Sequence, residues 1–197
     1  MSIRMKSSIN KDIDTAIVTN AERYTRTAMG LHWAIALLIF IAFPLGLYMH
    51  DLHLSPLKLK LYSWHKWIGI TVFLLVVLRV LWRTTHRPPA LPDIAQWQRI
   101  ASHITHMLLY ALMIAVPLSG WLMSSAKGFQ TVWFGVLPIP DLIGKDRELG
   151  KQLATVHALL NYTMLVLVAT HIAAALKHHF IDRDSVLRRM LPFQTEK

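Results

Sequence analysis

Four apolar runs divide this chain, over residues 31–49, 65–82, 104–124 and 157–176, each 18 to 21 residues long. At about 1.5 Å rise per residue, a helix of that length crosses a hydrocarbon core of about 30 Å. Polar and charged residues fall between the runs instead of alternating through them, as they would along the helices of a soluble domain. The pattern predicts an all-α fold: an integral membrane four-helix bundle.

The connecting segments carry their own signals. Residues 1–23 are polar, contain no apolar stretch of signal-peptide type, and read as a flexible N-terminal tail. Around residues 22–28 a helix is expected to lie along the interface before turning inward. Trp33 and Tyr48 anchor the ends of span one, and Pro44 should kink it or end its regular part. Trp64, Trp67 and Trp82 flank span two. Arg87-Pro88-Pro89 breaks the chain, and residues 93–103 suggest a short amphipathic surface helix. The longest loop, 125–152, contains Trp133, Phe134, Pro138 and Pro140 and should fold over one bundle end. The predicted organisation is a tail over 1–23, a four-helix unit over 24–180 and a basic tail over 181–197. A faint internal echo joins spans one and three: Pro44-Leu45-Gly46 against Pro117-Leu118-Ser119-Gly120.

Charge sets the orientation. The chain has a formal net charge of +10. The two tails and the loop after span two carry 13 Lys and Arg, against 6 in the other two loops. By the positive-inside rule both termini are cytoplasmic, and the excess needs no nucleic-acid partner. Cysteine is absent, which excludes disulfides, thiolate metal sites, iron–sulfur clusters and covalent c-type haem.

The candidate chemistry lies in the histidines. Histidine is costly inside a bilayer and is a functional signal there. His157 and His171 stand 14 residues apart on span four, which places them on one face about 21 Å apart along the axis. His65 matches the depth of His157; His32 and His106 both match that of His171. Two sites follow: His65 with His157, and His171 with either His32 or His106. Each pair can bind haem iron from both faces, closing it to oxygen and favouring electron transfer. Competing roles are helix–helix hydrogen bonding or interfacial placement. His50, His53 and His86 read as loop residues and His103 as interfacial. Arg79, 14 residues after His65, either pairs with a haem propionate or snorkels to headgroups. His178, seven residues past His171, can hydrogen-bond a quinone carbonyl, a propionate or a lipid phosphate. A histidine-based transporter would want acidic residues inside the spans, and the apolar runs contain none.

At these residues the chain resembles the bacterial cytochrome b561 family. The matching features are Leu31-His32-Trp33, His65-Lys66-Trp67-Ile68-Gly69, and His106 followed by Leu109-Tyr110. Most specific are His157 with His171 and the block Ala175-Leu176-Lys177-His178-His179-Phe180, with Leu187-Arg188-Arg189-Met190 after it. The resemblance covers about residues 22–192 and implies two non-covalent b haems, bacterial inner-membrane location and exchange with the quinone pool. On its pattern His32, His65, His157 and His171 are the axial ligands. It implies an oxidoreductase that oxidises superoxide on the periplasmic side with ubiquinone as acceptor, or a carrier fed by a periplasmic redox protein. Lys58, Lys60, Lys127, Lys145, Arg147 and Lys151 can steer an anion, although Asp51, Asp141, Asp146 and Glu148 dilute that field. The alternative is a haem-b membrane anchor subunit for a separate dehydrogenase.

Overall fold

The computed structural model describes residues 23–90 and 94–192. Expectations for most of the N-terminal tail, for residues 91–93 and for 193–197 lie outside the described residues.

Four long helices carry the apolar runs: α1 (Arg26–Asp51), α2 (Pro56–Thr85), α3 (Gln96–Ala126) and α4 (Arg147–Lys177). Each is long and apolar enough to cross a membrane. Three begin at side-chain caps that satisfy orphan N–H groups of the first turn. Thr25 Oγ1 accepts from Ala28 N at 3.2 Å, Ser55 Oγ from Lys58 N at 3.2 Å, and Asp146 Oδ1 from Glu148 N and Leu149 N at 2.9 and 3.0 Å. Pro56 stands in the first turn of α2, where its missing N–H costs nothing.

Packing runs α1 on α2, α2 on α3 and α3 on α4. Ile35, Val72 and Val76 form one buried cluster, backed by Tyr110 and Met113; Leu112, Val116 and Met164 form another. These clusters are small beside the apolar surface left outside. Leu37, Phe40, Leu78, Leu159 and Val166 are all more than half exposed. A continuous outward apolar collar on helices of this length is the signature of a bilayer as solvent.

One local expectation is narrowed and two are corrected. Pro44 does not end α1, which runs on to Asp51; a proline interrupts one backbone bond, and a membrane helix tolerates that where neighbours supply partners. Residues 93–103 do not form a separate surface helix: from Gln96 onward they are the first turns of α3. The described part of 22–28 is likewise continuous with α1 after the Thr25 cap. Because the helices overrun the apolar runs, His50, Asp51 and Glu148 sit in end turns of α1 and α4.

The long loop does fold over a bundle end. It contains the antiparallel hairpin β1 (Thr131–Trp133) and β2 (Leu137–Ile139). Phe134 and Gly135 both take positive φ at its tip, the twist that tight hairpins favour. Trp67 Nε1 donates to Val132 O at 2.6 Å, Trp121 Nε1 to Pro140 O at 3.0 Å, and Lys66 Nζ to Ser124 Oγ and Phe129 O at 2.9 and 3.0 Å.

At the opposite end, beside the described termini, the segment after α4 is docked. A π turn (His178–Asp182) stops at Arg183, whose φ of 55° is left-handed. A 3-10 turn (Arg188–Met190) follows. Trp33 Nε1 donates to Met190 O at 2.8 Å and Arg23 to Leu191 O at 3.1 Å, while Arg189 donates to Ala90 O.

Candidate cofactor site

α4 presents two histidines to the bundle, and each meets a partner from another helix. The His65 and His157 ring centroids lie 6.3 Å apart with planes at 86°. Those of His32 and His171 also lie 6.3 Å apart, with planes at 79°. Two metal–nitrogen bonds of about 2 Å each, with half an imidazole ring at either side, account for that separation. His106 also approaches His171, but at 5.3 Å, which leaves too little room for a metal in line between the rings. His106 is moreover exposed, where His32, His65, His157 and His171 are all half-buried.

The hairpin-end pair sits in a mainly apolar crevice to which all four helices contribute, including Ala42, Phe43, Val72, Met113, Val116 and Met164. Its polar groups are inward-turned: Asn161 Nδ2 donates back to His157 O at 2.7 Å.

The hydrogen bonds of this pair fix its tautomer. His65 Nδ1 lies 3.1 Å from Ala42 O, and His157 Nδ1 lies 3.1 Å from Val116 O. A carbonyl only accepts, so each Nδ1 carries the proton and each Nε2 keeps its lone pair. Ser119 Oγ donates to Val116 O at 2.7 Å and lies 2.9 Å from His157 Nδ1, whose proton it accepts. An imidazole with one nitrogen donated to a carbonyl and the other free is prepared as a metal ligand. The donor set fits a bis-imidazole haem, and the apolar lining of the crevice suits the faces of such a ring.

Beyond His32 lies a basic pocket lined by Arg23, Arg79, Arg83, His86, Arg87 and Tyr110 and, among the described residues, by no carboxylate. Arg79 does not simply extend to the surface: its Nε donates to Tyr110 Oη at 2.9 Å and a terminal nitrogen to Ala28 O at 3.4 Å. Ala28 is one turn before His32 on α1, so fixed positive charge stands close to the second pair. His178 points elsewhere: its Nδ1 meets Asp184 Oδ2 at 2.5 Å and Asp182 Oδ2 at 3.2 Å in the docked tail. His86 stacks on Trp82 at 3.8 Å, and His50 and His53 are exposed.

Several of these participants escape a reading of residue types. Ala42 and Val116 act through backbone oxygen, Tyr110 and Ser119 are unremarkable in an apolar run, and Lys66 is half-buried beside His65 with its ammonium held at two oxygens. Lys66 and Tyr110 entered the sequence reading only within the family motifs; for the two acceptor carbonyls the available signal was the Pro-to-Gly echo of spans one and three, which marks the turns that carry them.

A family profile described as prokaryotic cytochrome b561 matches residues 23–193. Among curated proteins, "Cytochrome b561 homolog 2" of Escherichia coli (strain K12) is 36% identical over 178 residues, covering 86% of this chain and 92% of that protein. "Probable superoxide oxidase CybB" of Yersinia pestis is 28% identical over 177 residues, covering 87% and 97%. "Cytochrome b561 homolog 1" of Escherichia coli (strain K12) is 29% identical over 182 residues, covering 86% and 97%.

Proposed function

From the membership of this chain in the prokaryotic cytochrome b561 family, a family of haem-b electron-transfer proteins of bacterial membranes, we infer a di-haem cytochrome that passes electrons from superoxide to ubiquinone. Bound haem iron supplies one-electron chemistry. His65 and His157 hold one haem from both sides at the hairpin end. His32 and His171 hold the other, and the single observation that carries this pairing is the common 6.3 Å ring separation. Arg79 and its basic neighbours receive the propionates of the second haem. His106 takes no iron. His178 remains available through Nε2 to a quinone or propionate oxygen. Residues 24–180 are the haem-carrying unit.

The basic end carries the described ends of the chain and faces the cytoplasm across the bacterial inner membrane, in keeping with the positive-inside rule. The hairpin end then faces the periplasm. Two superoxide ions each give up one electron there and leave as dioxygen; one ubiquinone takes both electrons with two protons and becomes ubiquinol. The relative called a probable superoxide oxidase supports this choice of donor.

Haem quantitation and a reduced-minus-oxidised spectrum of detergent-purified protein test the reading. Two low-spin b haems per chain are expected. A superoxide pulse should reduce them without any protein partner, and added ubiquinone should reoxidise them. Absence of haem sinks the reading, and haems indifferent to superoxide reduce it to a carrier fed by a periplasmic redox protein.

A further inference from the structure

The chain has 8 glycines, and two of them alone face a histidine ring. A Cβ on Gly46 would stand 3.1 Å from His65 Cε1, and one on Gly120 would stand 3.0 Å from His157 Cε1. Both contacts are tighter than a methyl group normally tolerates against a ring. Gly46 follows Ala42 by four residues, and Gly120 follows Val116 by four. Four residues are about one helical turn, so each glycine lies directly below the carbonyl that takes the histidine proton. Ala42 O has a second lone pair beyond the one used in its own helix, and His157 shares that of Val116 O with Ser119 Oγ.

The two turns are thus built alike, one in α1 and one in α3, against histidines from α2 and α4. The prolines belong to the same turns but leave other carbonyls without a donor, those of Phe40 and Met113, four residues back. The second histidine pair has no such arrangement: Gly30, two residues from His32, has nothing within 4 Å of its missing side chain.

We propose that residues 42–46 and 116–120 are duplicated seats for the imidazoles of His65 and His157, in which the glycine makes room for the ring and the carbonyl one turn back fixes its Nδ1 proton. Gly46, Gly120 and Ser119 are positioning residues. They act through the two histidines and leave Nε2 aimed at the haem iron. The inference rests on the haem reading above and adds to it a device that tunes one haem and not the other. A ring that donates Nδ1–H to a carbonyl is a more basic ligand. It favours the ferric iron and holds that haem's potential down.

The test is redox titration with low-temperature EPR of the full-length, haem-loaded protein carrying Gly46→Ala, Gly120→Ala or Ser119→Ala, with Gly30→Ala as control and His65→Ala and His157→Ala as reference variants. An added methyl must push a ring that is pinned at both nitrogens. In each glycine variant one low-spin ferric signal should change, because that signal follows the angle between the imidazole planes. The midpoint potential of the same haem should rise, and the other haem should stay as it was. Ser119→Ala adds no bulk and removes both an acceptor of the His157 proton and a competing donor to Val116 O, so it should move the same potential less than Gly120→Ala does. Gly30→Ala should change neither haem.

Unaltered signals and potentials in the glycine variants, with one haem lost in the histidine variants, overturn the seats and leave the ligand assignment standing. Both haems retained in the histidine variants overturn the ligand assignment itself. If the glycine variants do not accumulate, proton ENDOR on the low-spin ferric signals of the unsubstituted protein decides: hydrogen-bonded Nδ1 protons on both imidazoles of one haem support the seats, and their absence overturns them.

Discussion

His157 on α4 gives its Nδ1 proton to the carbonyl of Val116 on α3 across 3.1 Å, and His65 on α2 does the same to Ala42 on α1 at the same distance. Each bond joins two helices and at once selects the free nitrogen of a ring. Helix association in a bilayer draws on close packing and polar contacts of this kind, since lipid offers no hydrophobic drive. A single interaction therefore serves both the assembly of the bundle and the preparation of a ligand.

The pairing predicts what each hairpin-end histidine does alone. His65→Ala or His157→Ala should lower the haem content from two per chain to one and leave a single low-spin species in the reduced-minus-oxidised spectrum. A variant that kept both haems with unchanged spectra would break the pair.

The second site separates His32 from His106. His32→Ala and His171→Ala should each lose the haem of the termini end. His106→Ala should retain both, because its 5.3 Å approach to His171 leaves no space for iron in line. Loss of a haem in His106→Ala with both haems kept in His32→Ala would reverse the assignment.

Much of this architecture was legible from periodicity and residue type. Four apolar runs gave four helices, and the 14-residue step from His157 to His171 placed two rings on one face. The limits of the runs understated the helices, since α1 carries on through Pro44 to Asp51 and α3 absorbs the stretch that looked like a surface helix. Helices continue past the apolar boundary wherever a cap or a packed neighbour supports them, and hydropathy alone does not register that. The choice between His32 and His106 rests on a difference of 1.0 Å in ring separation, which no spacing rule resolves. Backbone acceptors such as Ala42 O and Val116 O leave only the glycine four residues on as a trace.

Arg79 tests the electrostatics of the termini end. Its guanidinium is held by Tyr110 and by the carbonyl of Ala28, in a pocket without a carboxylate among the described residues. Positive charge beside a haem stabilises the reduced form. Arg79→Gln should therefore lower the midpoint potential of the second haem, on the order of 60 mV if the one-electron equilibrium moves about tenfold, and leave the first haem in place. Potentiometric titration followed in the b-haem absorption band reads both values at once. A rise in potential, or an equal fall at both haems, contradicts the placement of Arg79 at the second site.

Lys66 makes the corresponding case at the hairpin end. Of the cations expected to steer an anion there, Lys151 pairs with Glu148 at 3.1 Å and the Lys58 ammonium is taken by the carbonyls of His50 and Leu52. Lys66 instead bonds two neutral oxygens, which fix its charge at the hairpin end of the bundle, with Asp141 as a charge partner that makes no hydrogen bond to it. Lys66→Gln should slow the reduction of the haems by superoxide and flatten its dependence on ionic strength, because exposed fields are screened over about 8 Å at physiological salt. Haem content should stay at two per chain, since the lysine holds no iron. Stopped-flow reduction at low and high salt measures the effect. If the wild-type rate ignores ionic strength and the variant matches it, neutral diffusion brings the donor in and Lys66 serves only to tie the Phe129 carbonyl to α2.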